Sequence, residues 1–94
     1  MSAAALSEFS RPHLPRGVRL RHDAVRDEWN LLAPERVFKT DAVAVEILRR
    51  CGEGRTLRAI VDELALAFKA DRARIDADVR ALLGDLARKR MIDL

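Results

Sequence analysis

Residues 18 to 39 read VRLRHDAVRDEWNLLAPERVFK, and the alternation within this stretch decides the fold. Val18 and Leu20 alternate with Arg19 and Arg21, the period-two pattern of a half-buried strand. A polar loop from Asp23 to Glu28 follows, and Trp29 and Leu31 continue the alternation in a second strand. Ala33, Pro34 and Glu35 make a turn, because the proline ring presets the backbone angle that a turn requires. Arg36, Val37, Phe38 and Lys39 then form a third short strand. Strands this close in sequence predict an antiparallel meander, with the last strand on an open edge.

Downstream, the period changes to that of helices. Thr40 or Asp41 caps a first helix whose apolar stripe is Ala44, Ile47, Leu48 and Cys51, the i, i+3, i+4, i+7 spacing of one buried face, and Gly52 and Gly54 end it. Cys51 therefore reads as core. Thr56 caps a second helix with Leu57, Ile60, Val61, Leu64 and Phe68 on one side and Asp62 and Glu63 on the other. Asp71 caps a third, striped by Ile75, Val79, Leu82, Leu83 and Leu86, and Met91, Ile92 and Leu94 close the chain as an apolar tail packed back on the domain. The predicted class is α+β, a three-stranded antiparallel sheet followed by three α-helices, in the manner of a winged helix-turn-helix.

Upstream, residues 1–17 carry Ser2, Ser7, Ser10, Pro12, Pro15 and Gly17 among scattered apolar residues and show no periodicity. They read as a flexible arm or linker preceding one domain over residues 18–94. The 94 residues suffice for one core but not for an enclosed cleft between two domains. With 49% apolar and only 4% aromatic residues, that core must be aliphatic. The lone Cys51 cannot form an internal disulfide and no apolar run approaches a signal sequence or a membrane span, which fits a reducing cytoplasm. The 18 basic residues are interspersed with 15 acidic ones, for a net charge of +3, a pattern closer to a solvated surface than to a nucleic-acid footprint.

Residues for catalysis are hard to find. The two histidines, His13 and His22, lie in the arm and at a strand edge with no partner at ligand spacing. Gly52 and Gly54 follow a helix and precede Thr56, whereas a phosphate-binding loop leads from strand to helix and carries a lysine. Neither enzymatic activity, nor a cofactor, nor a metal is expected.

Two binding readings remain. A winged helix suggests DNA, and Arg72, Arg74, Arg80 and Arg88 on the third helix could reach phosphates and guanine edges. Asp71, Asp76, Asp78 and Asp85 on the same helix would meet those phosphates with like charge, and the strands precede the helices where a DNA-binding wing usually follows them. The other reading starts from the edge strand, Arg36 to Lys39, on which an extended peptide can add as a further strand. Arg36 and Lys39 can equally be charged guards of that edge. With residues about 100° apart around the third helix, its apolar arc is lopsided. It shades gradually past Leu83 into Ala87, with Asp76 and Arg80 nearby, while Asp78, Asp85 and Lys89 charge the other flank at once. A groove wall is expected on the gradual flank. Gly84, weakening a helix interior by about 1 kcal/mol relative to Ala, sits away from the core stripe without a sequence-level reason.

Specific motifs then resemble a family. Leu31 to Val37 read LLAPERV, Glu46 to Leu48 read EIL, Gly54 to Thr56 read GRT, and Asp78, Val79, Leu82, Leu83 and Leu86 complete a spaced DV, LL, L pattern. In this order and spacing they resemble the PqqD family, over about Val18 to Leu94. Thr40 departs from the family pattern, where an apolar residue is common, as does Arg90, where Gly often ends the last helix.

The resemblance implies a RiPP recognition element, a winged-helix domain that binds the precursor peptide PqqA between its third strand and third helix. It also implies that the domain presents PqqA to the radical S-adenosylmethionine enzyme PqqE, which crosslinks a Glu and a Tyr of the peptide in pyrroloquinoline quinone biosynthesis. Carried onto this chain, the edge is Arg36, Val37, Phe38 and Lys39, and the gradual flank of the helix supplies Asp76, Val79, Arg80, Leu83 and Ala87. The implied partners are PqqA and PqqE, with the oxidase PqqC as a fusion partner or neighbour and neither nucleic acid nor membrane. As some members are fused behind PqqC, the Pro-containing arm would correspond to a former linker.

Overall fold

A computed structural model describes residues 6–94. Three strands, β1 (Arg19–Asp23), β2 (Glu28–Ala33) and β3 (Arg36–Thr40), precede three helices, α1 (Ala42–Arg49), α2 (Leu57–Phe68) and α3 (Arg72–Arg88). The sheet is antiparallel in the order β1-β2-β3, so β3 is an edge strand, as is β1. Ala33 pairs with Arg36 across a two-residue turn. Pro34 fixes the first turn angle, and Glu35 takes the positive φ of 63° that the next position of a type II turn demands.

The pleat puts Leu20, Leu31 and Phe38 in one cross-strand row, and Leu31 is wholly buried against the helices. The helices meet it with Ile47 and Leu48, with Leu57, Ile60, Val61 and Leu64, and with Ile75, Val79, Leu83 and Leu86, while Met91 and Ile92 close the cluster. The caps are local. Asp41 accepts from the Ala44 amide at 2.7 Å and Thr56 from that of Ala59 at 3.1 Å, each satisfying one of a helix's unpaired first amides. Asp71 occupies the α3 cap position without a side-chain hydrogen bond. Phe68, expected on the buried stripe of α2, is 46% exposed where that helix ends.

The N-terminal segment corrects the arm reading over its described part, residues 6–17; the rest of that expectation, residues 1–5, falls outside the described residues. The Leu57 amide donates to Ser10 O at 2.7 Å, Arg58 to Glu8 O at 2.9 Å and Gly52 to Pro12 O at 3.0 Å. His13 and Asp93 exchange two backbone bonds of 2.9 Å each. Pro12 is fully buried, and Leu6 and Leu14 pack against the core. The segment thus supplies carbonyls to the first amides of α2, which no residue within that helix can satisfy. Bonds made by the backbone leave no period in the side chains, which explains why sequence pattern alone reads the stretch as free.

Helix α3 ends in a Schellman turn: Met91 N–H reaches Leu86 O at 2.8 Å and Arg90 N–H reaches Ala87 O at 3.0 Å. Arg90 takes a φ of 59°, the left-handed conformation that glycine adopts most readily. Arg90→Gly is expected to raise stability by about 0.5 to 1 kcal/mol, because a side chain in the left-handed region is disfavoured; urea denaturation measures it. Leu64, 1% exposed, lies at the centre of the core, and Leu64→Ala should lower stability by about 2 to 5 kcal/mol in the same assay. A near-neutral value would contradict the packing of α2.

Candidate functional site

The outer edge of β3 faces the last turns of α3. Arg36 donates through Nη2 to the Lys89 carbonyl at 2.9 Å, and Lys89 Nζ lies 5.1 Å from the centre of the Phe38 ring. Arg36 Cζ lies 6.0 Å from the same ring, so the ring is flanked by two cations. Between strand and helix runs a groove lined by Leu31, Phe38, Lys39 and Thr40 of the sheet, by Asp41, Ala44 and Leu48 around α1, and by Leu82, Asp85, Leu86 and Lys89 at α3. A second depression, lined by Asp41, Val43, Ala44, Ile47, Asp78, Ala81 and Leu82, continues it along α3. Thr40 faces inward, where its hydroxyl donates to the Trp29 carbonyl at 2.8 Å. That bond satisfies the hydroxyl on the inward face of the sheet.

The groove has an apolar floor and a charged rim, which suits an extended segment with alternating side chains. β3 offers one row of backbone donors and acceptors with no strand beside it, and an added strand pairs with such a row. At the rim, the hydrogen bond from Lys89, 2.9 Å from Asp85 Oδ2, holds the half-exposed Asp85 carboxyl below its usual pKa range.

The expected site residues divide. Phe38 lines the groove, while Arg36 lies beyond its lining and bonds to the Lys89 carbonyl at the end of α3. Val37 and Lys39 alternate to the opposite face of the sheet, so they can contribute backbone to the edge while their side chains face elsewhere. On α3 the residues lining this groove, Leu82, Asp85, Leu86 and Lys89, are not the expected ones. Val79 and Leu83 are 0% exposed and belong to the core. Asp76 binds Arg80 at 3.0 Å, and Arg80 also donates to Leu6 O at 3.1 Å. Ala87 packs against the core cluster. The gradual flank is thus the side reached by the N-terminal segment, where a methyl on Gly84 would meet Leu6 and Arg88 in ordinary contact. Leu82, Asp85 and Lys89, whose charge argued against them in sequence, form the rim.

Other groups are occupied structurally. His22 lies 3.0 Å from Asp27 and its ring 4.7 Å from that of Trp29, while His13 faces Asp93 at 3.5 Å. On α3, Arg72 pairs with Asp62, Arg80 with Asp76 and Arg88 with Asp85, which leaves few free cations for phosphate. Among the described residues no group of His, Cys, Asp and Glu is arranged to hold a metal ion, and no helix is long and apolar enough to cross a membrane.

Residues 28–92 match the family described as coenzyme PQQ synthesis protein D (PqqD). The chain belongs to the PqqD family. It is 55% identical over 85 residues to the PqqA binding protein of Rhodopseudomonas palustris strain HaA2, covering 90% of this chain and 83% of that protein. It is 45% identical over 91 residues to the PqqA binding protein of Xanthomonas euvesicatoria pv. vesicatoria strain 85-10, covering 97% and 99%. Its fold matches the solution NMR structure of the PqqD truncation of Methylobacterium extorquens PqqCD, described as a functional and stand-alone RiPP recognition element, with a TM-score of 0.85, 44% identity and full coverage of both chains. The crystal structure of PqqD from Xanthomonas campestris matches with a TM-score of 0.61 and 42% identity over 96% of this chain and 100% of that one. The winged-helix-like recognition-element architecture is therefore that of this family.

Cys51 stands apart from the groove. Its Sγ donates to the Ile47 carbonyl at 3.3 Å, and burial pushes the thiol up to about 12 from an ordinary 9.0. The folded chain keeps this proton over a range in which the unfolded chain has lost it, so the thiol's contribution to stability is full below pH 9 and falls between 9 and 12. Iodoacetamide should label Cys51 much more slowly in the native than in the urea-unfolded protein at pH 8, and Cys51→Ala should flatten the loss of stability above pH 9. Equal labelling rates would show the thiol to be accessible.

Proposed function

We propose that this chain binds the precursor peptide PqqA as an added strand on β3 and presents it to the radical S-adenosylmethionine enzyme PqqE. The observation that carries the reading is the open edge of β3 facing the Leu82, Asp85 and Lys89 flank of α3 across an apolar groove. Kinship with PqqA binding proteins supports the identity of the peptide. Main-chain hydrogen bonds to Arg36–Thr40 supply affinity, and pockets beside Phe38 and Leu82 select alternate side chains.

The domain contributes order rather than chemistry. A disordered peptide loses conformational entropy when its reacting segment is positioned, and a carrier that has already extended it removes part of that loss from the enzyme's step. Phe38 between Arg36 and Lys89 is held before the peptide arrives, so little of the site has to be organised on binding.

An amide NMR titration with PqqA tests this. Shifts are expected at Val37, Phe38, Leu82, Asp85 and Lys89; shifts confined to residues 6–17 or to α2 would overturn the groove assignment. Leu82→Ala should weaken PqqA binding by about fivefold to thirtyfold in calorimetry, the effect of losing an apolar contact worth about 1 to 2 kcal/mol. Salt-dependent binding to DNA without binding to PqqA would favour the nucleic-acid reading instead.

A further inference from the structure

The face of the sheet turned away from the helices takes no part in the groove. Alternation and register place Arg19, Leu32 and Val37 in one row across it and Arg21, Asn30 and Lys39 in the next. Val37 is 66% exposed, and Val25, at the tip of the first hairpin, is 94% exposed. Two shallow depressions lie on either side of the Leu32–Val37 pair, and both are lined by it.

Arg19 and Arg21 are exposed and make no ion pair among the described residues, unlike Lys39, which lies 3.4 Å from Glu28. An apolar ridge and two uncommitted guanidinium groups on one strand face are features of an unfilled interface rather than of a solvated surface.

The charges select the occupant. A second copy packed face to face would bring together two faces on each of which Arg19, Arg21 and Lys39 outnumber Asp23 and Glu28. Nucleic acid would meet an apolar centre at Leu32 and Val37, with Asp23 and Glu28 at the far end. A protein surface that is acidic with an apolar centre satisfies the guanidinium groups and covers the ridge.

We infer that this outer face docks an acidic, apolar-centred surface of the enzyme that receives the held peptide. The inference rests on the presentation reading above. Because β3 would give its edge to the peptide and its outer face to the enzyme, both partners can sit on one small sheet at the same time, with the peptide beside the enzyme surface that must act on it.

The test uses the full chain, PqqA and purified PqqE. Arg19→Glu with Arg21→Glu should weaken PqqE binding by about tenfold or more, leave PqqA affinity within about twofold, and preserve the circular dichroism spectrum. Wild-type binding to PqqE should weaken with added salt. In the wild-type protein, PqqE should broaden the amide signals of Arg19, Arg21, Asn30 and Leu32. An unchanged PqqE affinity in the double variant, or broadening confined to α2, would overturn the docking face while leaving PqqA binding in place. If the wild-type chain binds PqqA but not PqqE, the presentation reading falls and the docking face with it. Loss of PqqA binding in the double variant would overturn the separation of the two surfaces.

Discussion

Where α3 stops, its last carbonyls need donors, and the way they find them ties together nearly every part of the molecule. The Schellman turn uses the amides of Arg90 and Met91 for two of them and reverses the chain, so Met91 and Ile92 drop into the core. That reversal delivers Asp93 to His13, which fixes the N-terminal segment, and the same segment supplies carbonyls to the first amides of α2. At the Lys89 carbonyl the donor is Arg36 from β3, so the strand edge and the helix flank that make the groove are held by a bond between them. The groove thus depends on how one helix is terminated as much as on how its walls are packed.

Most of the fold could be read from side-chain period because the core is aliphatic and each helix buries one stripe. The alternation of Val18, Leu20, Trp29 and Leu31 indicates the meander, and Thr56 and Asp41 mark helix starts by the same side-chain bonds the structure contains. What period cannot convey is contact made through the backbone. Pro12, buried in a stretch that reads as linker, and the carbonyls of Glu8 and Ser10 take their places because the first amides of α2 need acceptors, and no side-chain pattern encodes that need.

The site shows the same division more sharply. Arg36 to Lys39 as an edge follows from the order of three nearby strands. The wall does not, because an apolar arc that shades gradually into small residues fits two arrangements equally: an open groove, or a surface already covered by the chain itself. Here the small residues near Gly84 and Ala87 accommodate the N-terminal segment, with Arg80 bound to the Leu6 carbonyl. Abrupt charge beside Leu82 marks the open lip, since Asp85 and Lys89 must remain hydrated while Leu82 and Leu86 turn inward. The rotation of α3 about its axis decides which of its flanks lines the groove beside β3.

That rotation also bears on how so small a domain could serve two partners. A short edge strand is normally a liability, to be guarded by charge or covered. On β3 the charges are held out of the way: Arg36 bonds to the end of α3, and Lys39 reaches across the outer face to Glu28. The backbone edge is left free between them, and the cations that would guard it instead fix its surroundings. A preformed edge of this kind lowers the ordering loss on binding, and it does so without enclosing the ligand. A strand added there stays exposed on its far side, which is the condition for a carrier whose cargo must be reached by another protein while still held.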